Sequence, residues 1–73
     1  MIHLTQMNGT KFVLNAEMIE LIESTPNTVI TLINGRKLIV LESVDEVVDK
    51  VIEYKKKAYP VESLLKFLPE IRR

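Results

Sequence analysis

Residues 28–54 read TVITLINGRKLIVLESVDEVVDKVIEY, and their reading decides the fold. Asn34-Gly35 lies between two apolar, β-branched runs. That dipeptide is the strongest short-range hairpin signal, because a type I′ turn needs positive φ at both central residues. A two-residue loop then sets the register. Ile33 faces Arg36, Leu32 faces Lys37, Thr31 faces Leu38, Ile30 faces Ile39 and Val29 faces Val40. Because side chains alternate across a strand, one face carries Val29, Thr31, Ile33, Leu38 and Val40. The other carries Ile30, Leu32, Ile39 and Leu41. Neither face is polar, whereas an antiparallel sheet commonly keeps one face wet. Both faces are expected to need cover, and the first is a candidate interface.

A helix follows. Ser43 is placed to N-cap it, and Glu46 three residues on completes a capping box. Val44, Val47, Val48, Val51, Tyr54 and Ala58 recur at helical spacing. Asp45, Glu46 and Asp49 lie early while Lys55, Lys56 and Lys57 lie late, an order that suits the helix dipole. The valines are poor intrinsic helix formers, so packing against the sheet is expected to hold this helix.

Upstream, Ile2 to Gln6 reads as a strand, Asn8-Gly9 repeats the turn signal, and Lys11 to Leu14 returns. Leu4 is expected opposite Val13, and Thr5 opposite Phe12. Asn15 can cap one helical turn before the next strand. Met18 to Ser24 reads as a strand with a bulge, since Ile22 breaks the alternation of Ile19 and Leu21; the alternative is a short helix burying Met18, Ile19 and Ile22. Thr25-Pro26-Asn27-Thr28 is a turn with Pro26 at its second position. Downstream, Pro60 ends or kinks the helix. Val61, Leu64, Leu65 and Leu68 form a second, short apolar stripe closed by Pro69, and Glu70 to Arg73 should fray. The fold class is therefore α+β: an antiparallel β-meander of about five strands with two Asn-Gly hairpins, an amphipathic helix and a short C-terminal helix. Residues 1–58 make one domain and residues 59–73 a helical tail. The structural turn and cap residues are Asn8, Gly9, Pro26, Asn34, Gly35 and Ser43.

At 73 residues the chain supports one small core. Ten Lys and Arg balance ten Asp and Glu, a poor electrostatic match for nucleic acid. There is no cysteine, hence no disulfide framework or thiolate chemistry. The opening MIHLTQMNG lacks the basic and long apolar regions of a signal peptide. A cytoplasmic protein is expected. His3, the single histidine, has no Cys, Asp or Glu around it at metal-ligand spacing. Gly9 and Gly35 are lone turn glycines and form no phosphate cradle. Glu17, Glu20 and Glu23 read as a solvated edge rather than an acid/base pair. Lys55, Lys56 and Lys57 read as a solubilising helix end, so membrane contact is at most peripheral. No catalytic, metal or cofactor-binding residue is expected, and the reading is a non-enzyme without cofactors.

The order of short signals resembles a known family. Ile2-His3-Leu4-Thr5, Asn8-Gly9, Phe12-Val13-Leu14-Asn15, Ile22-Glu23, Thr25-Pro26, Thr28-Val29-Ile30-Thr31-Leu32, Asn34-Gly35, Glu42-Ser43 and the helix after them are similar to the FlbD/SwrD family of small flagellar and swarming-motility proteins. The resemblance covers about residues 1–57 and nothing is carried onto the tail. It implies a role in the force delivered by the flagellar motor, through contact with a motor or stator protein at the cytoplasmic face of the motor, and no catalytic residues. A weaker likeness, of strands, Asn-Gly turn and capped helix to part of LytTR-type DNA-binding domains, implies the alternative of a small nucleic-acid-binding regulator. Because the two apolar hairpin faces exceed what one helix covers, a homo-oligomer is expected. Its candidate interface is Val29, Thr31, Ile33, Leu38 and Val40 with Leu64, Leu65 and Leu68 of the tail.

Overall fold

The computed structural model describes residues 1–58 and 70–72. Strands β1 (Ile2–Thr5) and β2 (Lys11–Leu14) form a two-stranded antiparallel sheet. A single 3-10 turn, Ala16–Met18, leads into β3 (Ile19–Ser24). Strands β4 (Thr28–Leu32) and β5 (Lys37–Val40) follow, then helix α1 (Val44–Ala58) and a last strand, β6 (Glu70–Arg72). The second sheet has the order β5-β4-β3-β6, antiparallel except where β6 joins β3 in parallel. The class is α+β, a meander followed by a helix, as the sequence implies.

Both hairpins differ from the two-residue reading in the same way. The Gln6 N–H donates to Thr10 O at 2.8 Å and the Gly9 N–H to Gln6 O at 2.9 Å. The Leu32 N–H donates to Arg36 O at 2.8 Å and the Gly35 N–H to Leu32 O at 2.9 Å. Each loop thus has three residues, Met7-Asn8-Gly9 and Ile33-Asn34-Gly35. Among the described residues only Gly9 (φ 89°) and Gly35 (φ 88°) have positive φ, so neither Asn takes the left-handed conformation a type I′ turn demands. This is the three-residue loop that places glycine at the left-handed bulge position. The asparagines act through their side chains instead. Asn8 Oδ1 accepts from the Thr10 N–H at 2.9 Å, and Asn34 Oδ1 from the Arg36 N–H at 3.0 Å.

The extra loop residue moves each register by one. Leu4 pairs with Phe12 and Thr5 with Lys11, rather than with Val13 and Phe12. In the second hairpin Thr28 pairs with Val40, Val29 with Ile39, Ile30 with Leu38 and Thr31 with Lys37. A one-residue slip carries a whole strand to the opposite face. The two expected faces are therefore re-sorted. Thr28, Ile30 and Leu32 point inward with Leu38 and Val40, whereas Val29, Thr31, Lys37 and Ile39 lie outward. One side is the core side and the other is mixed, so the premise of two apolar faces does not hold.

The remaining local signals act as their chemistry suggests. Asn15 Oδ1 accepts from the Glu17 N–H at 3.0 Å and caps the 3-10 turn. Residues 19–24 are a strand, and the register against β4 shifts between Ile19 and Leu21, which lets Ile19 and Ile22 both face the core. The peptide bond before Pro26 is cis. Ser43 Oγ accepts from the Glu46 N–H at 3.1 Å while Glu46 Oε1 accepts from the Ser43 N–H at 3.2 Å, closing the capping box. Val44, Val47 and Val51 are buried, Val48 and Tyr54 half-buried, and Ala58 is exposed. Their stripe meets Ile2, Leu4, Ile22, Ile30 and Val40 in one core. Glu70–Arg72, expected to fray, is a strand. The stripe of Val61, Leu64, Leu65 and Leu68 lies outside the described residues.

Candidate protein-contact surface

Two polar ties join elements that are distant in sequence. The first is a seam between β1 and the end of β5. Gln6 bridges Val40, the Leu41 N–H donates to Thr5 O at 2.9 Å, and Thr5 gives its N–H to Glu42 Oε1 and its hydroxyl to Glu42 Oε2, both at 2.9 Å. Partial burial pulls the Glu42 carboxyl upward, but the Thr5 and Glu42 N–H groups, the Thr5 hydroxyl and the nearby Lys50 charge outweigh it. The net effect holds Glu42 below the ordinary glutamate value. The second tie joins the far end of α1 to the 3-10 turn. Lys55 Nζ lies 2.7 Å from Glu17 Oε1, and Lys55 is only 2 % exposed. Lys55, expected in water at the helix end, is buried in this pair, while Glu17 stays exposed as its reading implied. Removing one partner of such a pair leaves a buried charge.

The seam decides what surrounds it. Where β1 leaves β5, a depression of about 430 Å³ opens, lined by Gln6, Met7, Asn8, Phe12, Lys37, Leu38 and Ile39. Met7 also borders a neighbouring hollow with Leu41 and Val44. Met7 borders both hollows, Ile39 the first and Leu41 the second, and these three large apolar side chains are 50 %, 47 % and 54 % exposed. Isolated exposed apolar residues are ordinary; a contiguous group is the mark of a contact surface.

The residues singled out from the sequence fall in different places. Val40 is core, Leu38 is half-buried against it, Val29 and Thr31 are half-buried on the outward side, and Ile33 is 60 % exposed in the turn. They do not form one face. Leu64, Leu65 and Leu68 lie outside the described residues. Met7 and Leu41 were missed as surface residues: Met7 is exposed as the first residue of a three-residue loop, and Leu41 continues the outward parity of Ile39. His3 is exposed and borders a hollow of about 330 Å³ with Asp49, Lys50, Glu53, Tyr54 and Lys57. Among the described residues no three His, Cys, Asp or Glu side chains are grouped to hold a metal ion, and no helix is long and apolar enough to cross a membrane.

Compared with known proteins, residues 1–59 match the FlbD family, described as flagellar and swarming motility proteins. The match spans the chain from β1 to the end of α1. No curated protein and no solved structure matches the chain.

Proposed function

The chain belongs to the FlbD family of flagellar and swarming motility proteins, and from that premise we propose that it supports the force of the flagellar motor by contact with a motor or stator protein at the cytoplasmic face of the motor. The observation that carries this reading is the family match over residues 1–59. The exposed group of Met7, Ile39 and Leu41 supports it with a surface suited to a protein partner. Self-association through this outward side is part of the proposal. No observation favours the nucleic-acid alternative, since the chain's formal net charge is zero.

The test is a deletion strain. It should assemble flagellar filaments of normal number and length yet swim and swarm weakly, with lower torque on a tethered cell. A strain without filaments would place the protein in regulation or export and overturn the motor-force reading. Self-association is read separately by light scattering at micromolar concentration, where a mass near that of one chain overturns it.

A further inference from the structure

We propose that the edge of β3 facing away from β4 is a strand-acceptor site, which residues 70–72 of this chain fill in parallel register and which takes from a partner protein a short extended segment with an apolar residue next to basic ones. The proposal rests on the reading of the chain as a protein-contact module, because displacement of the resident strand matters only if a partner's segment replaces it.

The geometry starts at the second turn. Leu32 and Arg36 form a bonded pair there. Bonded and non-bonded pairs alternate along an antiparallel ladder. Ile30–Leu38 and Thr28–Val40 are then bonded pairs, and Val29 and Thr31 turn their N–H and C=O groups toward β3. Their partners are Glu23 and Leu21. Ile22, between them, presents its own N–H and C=O on the other side, where its register partner is Ile71. An edge with unpaired backbone groups is a template for an added strand.

Three observations distinguish this edge from an ordinary sheet interior. First, β6 begins at residue 70, beyond the matched stretch of residues 1–59. The stretch shared with the family supplies no strand of its own at this place among the described residues. Second, the pairing covers only three residues, Leu21 with Glu70, Ile22 with Ile71 and Glu23 with Arg72. A three-residue parallel pairing is weaker than the longer antiparallel pairing of β3 with β4, so it opens first. Third, β3 reads IELIES, with Glu20 exposed, Glu23 half-buried and no basic residue. This edge selects for positive charge, and the register sets Arg72 against Glu23. The carboxylates of β3, Glu20 and Glu23, set the chemistry a partner segment must match.

The test uses the full-length, ¹⁵N-labelled chain and a capped synthetic peptide spanning residues 68–73. In the unmodified chain the Ile22 amide should exchange with solvent about tenfold or more faster than the Glu23 amide, because β6 opens without the rest of the sheet. In Arg72→Pro, which removes a backbone donor from the resident strand, the peptide should bind saturably, shifting the Glu20 and Ile22 amides. The same peptide with an N-methylated Arg72 should not bind. Equal exchange at Ile22 and Glu23 would show that β6 is an integral strand and overturn the proposal. So would a folded Arg72→Pro chain that ignores the peptide, and so would an Arg72→Pro chain that fails to fold. None of these outcomes alters the result of the deletion strain, so the two readings fail separately.

Discussion

The two Asn-Gly hairpins share one turn and differ in what surrounds it. Each has a three-residue loop, a glycine near φ 90° and an asparagine that accepts from the N–H two residues on. Yet β4 is paired on both sides, by β3 and β5, while the β1–β2 hairpin stands as a separate two-stranded sheet. An isolated two-stranded hairpin is marginal in water. The first hairpin depends on the seam through Thr5 and Gln6 and on its buried side chains Ile2, Leu4 and Leu14. Local chemistry is thus the same in both, and tertiary support is not.

The largest test of that contrast is cavity formation. Ile30 is fully buried in a strand held on both sides, and Leu4 is 1 % exposed in the hairpin with fewer ties. Truncation to alanine costs about 2–5 kcal/mol at such sites, more where the surroundings cannot collapse. Ile30→Ala should therefore lose about 1 kcal/mol more than Leu4→Ala in urea unfolding. Equal losses would mean that the small sheet is held as rigidly as the large one.

Next come the glycines, where the hairpins should behave alike. A Cβ at Gly9 or Gly35 meets nothing within 4 Å, so valine there pays only for its backbone conformation. That cost is about 1–2 kcal/mol. Gly9→Val and Gly35→Val should lower Tm by similar amounts, several degrees each for a domain of this size. An unchanged Tm in either variant would contradict the positive φ assigned there.

This pair of turns also shows how far the sequence was legible. The element order, the Asn15 and Ser43 caps, the bulge in β3 and the place of each hairpin were all readable, because each is set by residues within a few positions of one another. The loop length was not. Asn-Gly is compatible with both two- and three-residue loops, and only the packing of Ile30, Leu32, Leu38 and Val40 toward one core selects between them. That single residue of register moved Leu38 and Val40 off the candidate interface and Ile39 and Leu41 onto the surface. Lys55 was unreadable for another reason: its partner, Glu17, lies 38 positions away in the sequence. The family resemblance over about residues 1–57 was legible from the order of weak signals, and the match over 1–59 bears it out.

A smaller effect is expected at the seam. Glu42 has its pKa depressed in the folded chain. A depressed carboxyl stabilises the fold above its unfolded value, about 4.3, and the contribution disappears as pH falls through the lower folded value. Glu42→Gln should cost about 1 kcal/mol at neutral pH, a partly solvated charge-assisted bond being worth less than a buried one. Its disadvantage relative to the unmodified chain should shrink in acid melts below about pH 4. A constant difference between the two chains from neutral pH to pH 3 would exclude a stabilising Glu42 carboxylate.

The smallest change in stability should accompany the largest change in function. Ile39 and Leu41 are 47 % and 54 % exposed, and their outward side is not part of the core. Serine at either position removes a side chain about half of which is already in water, so stability should fall by no more than about 1 kcal/mol. Within the first hairpin's tip, Met7→Ser should be equally mild, since Met7 is 50 % exposed. If these three side chains together form the contact surface, Met7→Ser/Ile39→Ser/Leu41→Ser should still fold cooperatively and fail to restore swarming to the deletion strain. The paired control is Val13→Ser, which removes a side chain 55 % exposed on β2. It carries the same chemical change away from the seam and should restore swarming. Restoration by both variants would leave the seam without a role in contact. Failure of both would show that the motility defect follows the loss of exposed apolar surface in general rather than the place where β1 meets β5.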